Sequence, residues 1–130
     1  MLDELKDDFE IGIFTAGKKS YADPIIDRID KDKRISFRLY RKHNSFTGKR
    51  FIKDLSRLGR DLRRTIIVDN VAENFQKQPD NGIFIKSWYN DPEDTALKQL
   101  VDLLRTFKSS EFDDVTKFIK HMVKKRRNMH

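Results

Sequence analysis

The chain has 130 residues, 37% of them hydrophobic and 38% charged, a net charge of +7 and no cysteine. That length fits one domain with one core, and the lack of thiols excludes disulfides, thiolate metal sites and a cysteine nucleophile, as fits an intracellular protein. No apolar run approaches the ~20 residues that span a bilayer, and six cations without an acid between Lys117 and His130 leave only +1 on everything before them, so the charge reads as a tail feature and not as a nucleic-acid-binding face.

In chain order, the acidic start MLDELKDDFE has no signal-peptide core, and Leu2, Leu5 and Phe9 share one helical stripe. Ile11 to Thr15 reads as a short apolar strand ending in Thr15-Ala16-Gly17. A helix follows, with Ser20 as N-cap, Asp23 three residues on and Pro24 in the first turn. Its buried face is expected to be Ala22, Ile25, Ile26 and Ile29. Asp30 to Arg34 reads as a solvated loop. Phe37 and Leu39 alternate with Arg38 and Tyr40, and Phe51-Ile52 resumes an extended pattern after Thr47-Gly48, which suggests a hairpin.

Phe51 to Asn70, FIKDLSRLGRDLRRTIIVDN, organises the rest. It carries Lys53 at one strand end, then Leu55, Leu58 and Leu62 at helical spacing. Its β-branched run, Thr65 to Val68, reads as a buried parallel strand capped by Asp69-Asn70. Polar residues beyond the carboxyl ends of such strands are where open α/β sheets hold ligands, although Asp-Asn equally reads as a turn. Beyond it, Pro79 to Gly82 is a turn signal and Ile83 to Ile85 a strand, followed by Trp88-Tyr89. Asp91-Pro92 opens a helix with Leu97, Leu100, Val101, Leu104 and Phe107 as its stripe. Ser110, with Asp113, opens another, with Val115, Phe118, Ile119, Met122 and Val123 on its inner face. Strands alternating with helices predict a parallel α/β sheet.

Three strand ends thus carry Thr15, Lys53 and Asp69-Asn70. A phosphoryl group in transfer carries negative charge on three oxygens and wants hydroxyl and N–H donors, a lysine and a hard cation. Mg²⁺ takes oxygen ligands and keeps waters, so one Asp and one Asn suit a partial ligand set. The shared strand-end position leads to the expectation that all of them border one cleft, with Thr15 and Asp69 about two interstrand spacings of 4.8 Å apart. None of His43, His121 and His130 has metal-ligand spacing.

The stretches FTAGKKSYADPIIDRID, RLYRKHNSFTGKRFIKDLSRLGRDLRRTIIVDN and QPDNGIFIKSWYNDPEDTALKQL resemble the phosphatases of the RNA polymerase II C-terminal domain. More narrowly, they resemble the NLI-interacting-factor small phosphatases of the haloacid dehalogenase superfamily, from about Asp8 to Phe107. KDLSRLGRDL, VDN and the SW[YF]xD pattern at Ser87 to Asp91 carry the likeness. The resemblance implies a haloacid-dehalogenase-like Rossmannoid parallel sheet with a small hairpin insertion. It divides the chain into a phosphatase-like domain over residues 1–109 and a basic C-terminal helix and tail over 110–130.

It also implies roles. Thr15 corresponds to the hydroxyl that binds phosphoryl oxygens, and Lys53 to the lysine that neutralises phosphate and nucleophile. Asp69 and Asn70 correspond to the ligands of Mg²⁺, and Tyr21 and Arg41 to contacts with a phosphoserine or phosphothreonine peptide. Lys18 stands where the family has an apolar residue lining a proline pocket. The family opens on a strand ending in Asp-x-Asp-x-Thr/Val, whose two aspartates are nucleophile and general acid. The only Asp-x-Asp here is Asp30-Lys31-Asp32, after a helix, so the first core strand is expected to be missing, with a partner as a possible source of it. The implied function is part of a Mg²⁺-dependent phosphatase, inactive as this chain alone, in nucleus or cytoplasm. The alternative is a non-catalytic binding protein of the same fold, such as the import receptor of the mitochondrial presequence translocase, at the inner membrane.

Overall fold

Alternation of short apolar runs with helical stripes produces parallel strand pairs joined by helical crossovers, as the sequence predicts. The computed structural model describes residues 2–85 and 95–128. The predicted SW[YF]xD pattern, Trp88-Tyr89 and the Asp91-Pro92 helix start lie outside the described residues. The chain divides into two compact units, Met1–Lys53 and Asp54–His130. The described strands form three two-stranded sheets, two parallel and one antiparallel. The architecture is therefore mixed α/β with small parallel sheets and a hairpin.

In the first unit a single helical turn, α1 (Leu2–Leu5), precedes β1 (Gly12–Phe14), which pairs in parallel with β2 (Phe37–Leu39). Parallel pairing requires a crossover, supplied by α2 (Lys19–Ile29). Ala22, Ile26 and Tyr40 are buried together, with Ile13 and Ile35 packed on them. Two of the predicted inner residues do not belong there: Ile25 is 44% and Ile29 58% exposed. A helix lying on two short strands can bury only a narrow i, i+4 stripe. The predicted cap also moves. Lys18 is the N-cap and offers no side-chain bond, so Ser20 is already helical and Pro24 lies inside the helix.

The Asp30 to Arg34 run is not simply solvated. The Asp30 carboxylate is buried and accepts the Arg34 N–H and the Ile35 N–H, both at 2.8 Å, and Arg34 Nε at 3.1 Å. Arg34 in turn reaches Asp3 at 2.8 Å. Burial pushes the Asp30 carboxyl up, but the Ile35 and Arg34 N–H groups and the Arg34 guanidinium outweigh it and hold it below the usual carboxylate range. Strand pairing differs from the sequence reading as well. Phe37–Leu39 pairs with β1, and the hairpin is made instead by β3 (Ser45–Phe46) and β4 (Phe51–Ile52). The Thr47 N–H donates to the Arg50 carbonyl across its turn at 3.0 Å, with Gly48 at φ 91°, a backbone angle that favours glycine.

In the second unit Leu55, Leu58 and Leu62 do share an apolar side, but on two 3-10 turns, Leu55–Leu58 and Leu62–Arg64. Asp54 and Asp61 cap them by accepting the N–H groups of Ser56 and Arg63, each at 3.0 Å, and Gly59 at φ 70° breaks the path between them. The three leucines enclose β5 (Ile67–Asp69) from one side through Ile67 and Phe75. β5 pairs in parallel with β6 (Gly82–Phe84), and Val68 on its other side is 37% exposed. Buried Asn81 ties the connection together by donating to the carbonyls of Leu62 and Thr65, at 2.6 and 2.8 Å.

Gly82 is required by the same packing. A Cβ there would stand 2.2 Å from two ring atoms of buried Phe75. Gly82→Ala is expected to cost about 1–3 kcal/mol, as overpacked core sites do, seen as a lower urea midpoint with an unchanged slope. A wild-type midpoint would show that the Phe75 ring has room to move. Two helices complete the unit, α3 (Thr95–Ser109) and α4 (Val115–Asn128). Leu100, Val101, Leu104 and Phe107 are buried on α3, as the stripe predicts. Phe107 joins Val115 and Phe118 in one cluster, with Ile66 and Met122 against it. α4 is capped by Asp114, not Ser110: Asp114 accepts the Thr116 N–H at 2.9 Å, while Ser110 donates to the Phe107 carbonyl at 2.6 Å. Val123 is 46% exposed, off the inner face.

Candidate functional site

The loop that leaves β1, Thr15 to Lys18, is held from below and from the side. The Thr15 N–H continues the ladder to the Leu39 carbonyl at 2.9 Å, and the Thr15 hydroxyl oxygen accepts the Gly17 N–H at 3.0 Å. This turn leaves the hydroxyl hydrogen free to donate. The 3-10 turn Arg41–His43, at the carboxyl end of β2, grips the same loop. Arg41 donates its N–H to the Gly17 carbonyl at 2.9 Å and its Nε to the Ala16 carbonyl at 2.8 Å. Buried Asn44 donates to the carbonyls of Thr15 and Tyr40, at 3.1 and 2.9 Å. The Tyr21 ring approaches within 3.8 Å of where a Gly17 Cβ would stand, and Tyr21 is 72% exposed.

Thr15, Tyr21 and Arg41, which sequence reasoning singled out separately, therefore share the carboxyl ends of one parallel pair. That is where α/β sheets present ligand-binding groups. Asn44 was missed, because an Asn between two short strands looks like any turn residue. The role of His43 is structural: its Nδ1 accepts the Tyr40 N–H at 2.8 Å. Beneath the loop, the Tyr40 hydroxyl and Arg38 both donate to Asp23, and Arg38 also reaches Asp27 at 2.7 Å. The Tyr40 hydrogen bond, opposed by burial and aided by Arg38, holds the Asp23 carboxyl below its ordinary range. The Asp23 bond pushes the Tyr40 phenol up. This network fixes α2 to β2 and so fixes the loop between β1 and α2.

Lys53 directly follows β4 and is half-buried. Phe51, two residues earlier on that strand, lines a depression of about 400 Å³ together with Lys18, Lys19, Tyr40, Arg41 and Lys42. Counted over the chain, the positive charge sits in the tail. Locally it is concentrated here as well, with Asp23 beside Lys19 as a partial counter-charge.

Asp69 and Asn70 belong to the second unit, at the carboxyl end of β5. Asp69 is buried and Asn70 exposed. The Asp69 carboxylate accepts the Val71 N–H at 3.0 Å and the Asn74 amide at 3.2 Å on each oxygen. The pair is thus a turn, as one reading of the sequence had it, and also a carboxylate held in a fixed orientation with an amide beside it. Both are hard oxygen donors, the type Mg²⁺ accepts. Among the described residues no three histidines or acids cluster as a metal-ligand set. The donor types at Asp69 and Asn70 are thus compatible with part of a hard-cation ligand set.

The family model of NLI interacting factor-like phosphatases matches residues 1–116. The CTD small phosphatase-like protein 2 of Dictyostelium discoideum is 42% identical over 110 residues, which are 85% of this chain and 19% of that protein. The carboxy-terminal domain RNA polymerase II polypeptide A small phosphatase 1 of Homo sapiens is 41% identical over 107 residues, 82% of this chain and 40% of the relative. Phosphatase Herzog of Drosophila melanogaster is 40% identical over 107 residues, 82% of this chain and 30% of the relative. The chain thus spans well under half the length of these curated relatives. With nearly its whole length matched by the family model, the chain belongs to the NLI interacting factor-like phosphatases of the haloacid dehalogenase superfamily.

Proposed function

We propose that the chain is part of a Mg²⁺-dependent protein serine/threonine phosphatase whose substrate is a phosphoserine or phosphothreonine peptide. The observation that carries this reading is the convergence of Thr15, Tyr21 and Arg41 on one braced loop, at the carboxyl ends of β1 and β2, in a chain of this family. The Thr15 hydroxyl donates to a phosphoryl oxygen. Lys53 supplies a positive charge to the same group, and Arg41 and Tyr21 hold the peptide. Asp69 and Asn70 would hold Mg²⁺, which supplies neutralisation of the phosphoryl charge when bound.

These groups stabilise charge and orient substrate, which is most of what phosphoryl transfer asks of a protein. The nucleophile is a separate matter. By the family's pattern it is an aspartate that takes the phosphoryl group as an acyl phosphate while the serine oxygen leaves with a proton from a second acid. No Asp-x-Asp-x-Thr occurs in these 130 residues.

Binding isolates the residues that are present. A fluorescent phosphoserine peptide titrated with the chain and Mg²⁺ is expected to bind more tightly than its serine counterpart. Thr15→Val should weaken that binding roughly tenfold or more, since a hydrogen bond to a charged group contributes about 1.5–3 kcal/mol. Equal binding of the two peptides, or no effect of Thr15→Val, would remove Thr15 from the site.

A further inference from the structure

We infer that the depression beside Arg41 receives a second anionic group, a phosphate or a carboxylate, on the same peptide that presents its phosphoserine to Thr15. The inference rests on the phosphopeptide reading above and deepens it by naming a substrate class: peptides with two acidic groups a short distance apart.

The depression is lined by Lys18, Lys19, Arg41 and Lys42, with Tyr40 and Phe51 as its apolar surface and no carboxylate. The four cations are not equally available. The Lys19 ammonium lies 4.0 Å from Asp23 and 5.7 Å from the centre of the Tyr40 ring, and Arg41 spends its Nε on the Ala16 carbonyl. Lys18 and Lys42 are exposed, and among the described residues no carboxylate pairs with either. Asp23 partly offsets Lys19, but the like charges of Lys18, Arg41 and Lys42 repel one another, and an anion seated among them relieves that repulsion. Aromatic walls exclude water from one side and strengthen the attraction over that of an isolated surface pair.

Chain geometry sets the spacing. Lys18 follows Thr15 by three residues, so their Cα atoms are at most about 11 Å apart. An extended peptide advances about 3.3–3.6 Å per residue. Spacings of two to four residues from the phosphoserine that meets Thr15 cover that range.

The test uses the whole chain with Mg²⁺ and a set of fluorescent peptides. Each carries one phosphoserine, with alanine, aspartate or a second phosphoserine placed two, three or four residues away on either side. At one of these spacings the second anion is expected to tighten binding about tenfold, as a charged hydrogen bond does. The gain should shrink between low and high salt. In the double variant Lys18→Ala/Lys42→Ala the gain, taken as the ratio to the singly phosphorylated peptide bound by the same variant, should vanish. A gain from aspartate as well as phosphoserine identifies an acidic peptide, and a gain from phosphoserine alone a doubly phosphorylated one. No gain at any spacing, or a gain that persists in the double variant, overturns the inference and leaves the phosphatase reading standing. Failure of the singly phosphorylated peptide to bind at all overturns both.

Discussion

Lys53→Ala, made in a chain joined to an Asp-x-Asp-x-Thr strand, is expected to lower turnover of a phosphoserine peptide about 100- to 1000-fold. That is the usual effect of deleting one preorganised group that meets charge developing in the transition state. Lys53 follows β4 immediately and is half-buried. A charge that strengthens its contact as the phosphoryl group departs acts on kcat more than on KM. The measurement is phosphate release at saturating peptide with Mg²⁺, comparing Lys53→Ala and Lys53→Arg. Arginine keeps the charge but not the compact geometry, so partial recovery is the expected signature of an electrostatic role. A loss under threefold in Lys53→Ala would assign Lys53 to the structure of the hairpin alone.

The 130-residue chain by itself is expected to bind phosphopeptide without hydrolysing it at an enzymatic rate. Binding groups lower a barrier only if something attacks phosphorus. Thr15 is engaged with the Gly17 N–H, and the Asp69 carboxylate is held by Val71 and Asn74. Asp30, of the one Asp-x-Asp pair, is spent on Arg34 and Ile35 inside the first unit. Each of these groups is thus held in a contact within its own unit, and no Asp-x-Asp-x-Thr stands among the 130 residues. Purified chain, Mg²⁺ and a phosphoserine peptide should release phosphate far more slowly than about 1 per second, an ordinary enzymatic value. Turnover near that value would mean that one of these 130 residues is itself the nucleophile. Activity restored by a synthetic peptide carrying Asp-x-Asp-x-Thr would show that the remaining groups are complete without it.

Much of this was legible before any coordinates. Family membership rests on side chains in order, and KDLSRLGRDL and VDN read directly. So do the stripes of α3 and the start of α4, because apolar period 3.6 reports which face turns inward. Boundaries were harder. Ser20 lost the cap position to Lys18, and Ser110 lost it to Asp114. In each case two polar residues compete within one turn, and the chain path decides between them. Leu55, Leu58 and Leu62 form one apolar side, as their spacing predicts, yet Gly59 and two aspartate caps divide them into 3-10 turns. Side-chain spacing at i+3 is shared by both helix types.

The amino-acid order by itself determined the family of the chain and its mixed α/β class with parallel strand pairs, and it led to the proposal of Thr15, Lys53, Asp69 and Asn70 as the phosphoryl-handling residues. Only tertiary structure decided which strand Phe37–Leu39 joins, since alternation names a strand but not its partner. Only tertiary structure showed that Asp30 is a buried anchor, that Asn44 braces the Thr15 loop, and that Lys18, Arg41 and Lys42 line one depression. Net charge is a sum over the chain, whereas a binding surface depends on where the chain's path sets each charge; residues 24 apart in sequence are joined by the crossover that α2 makes between β1 and β2.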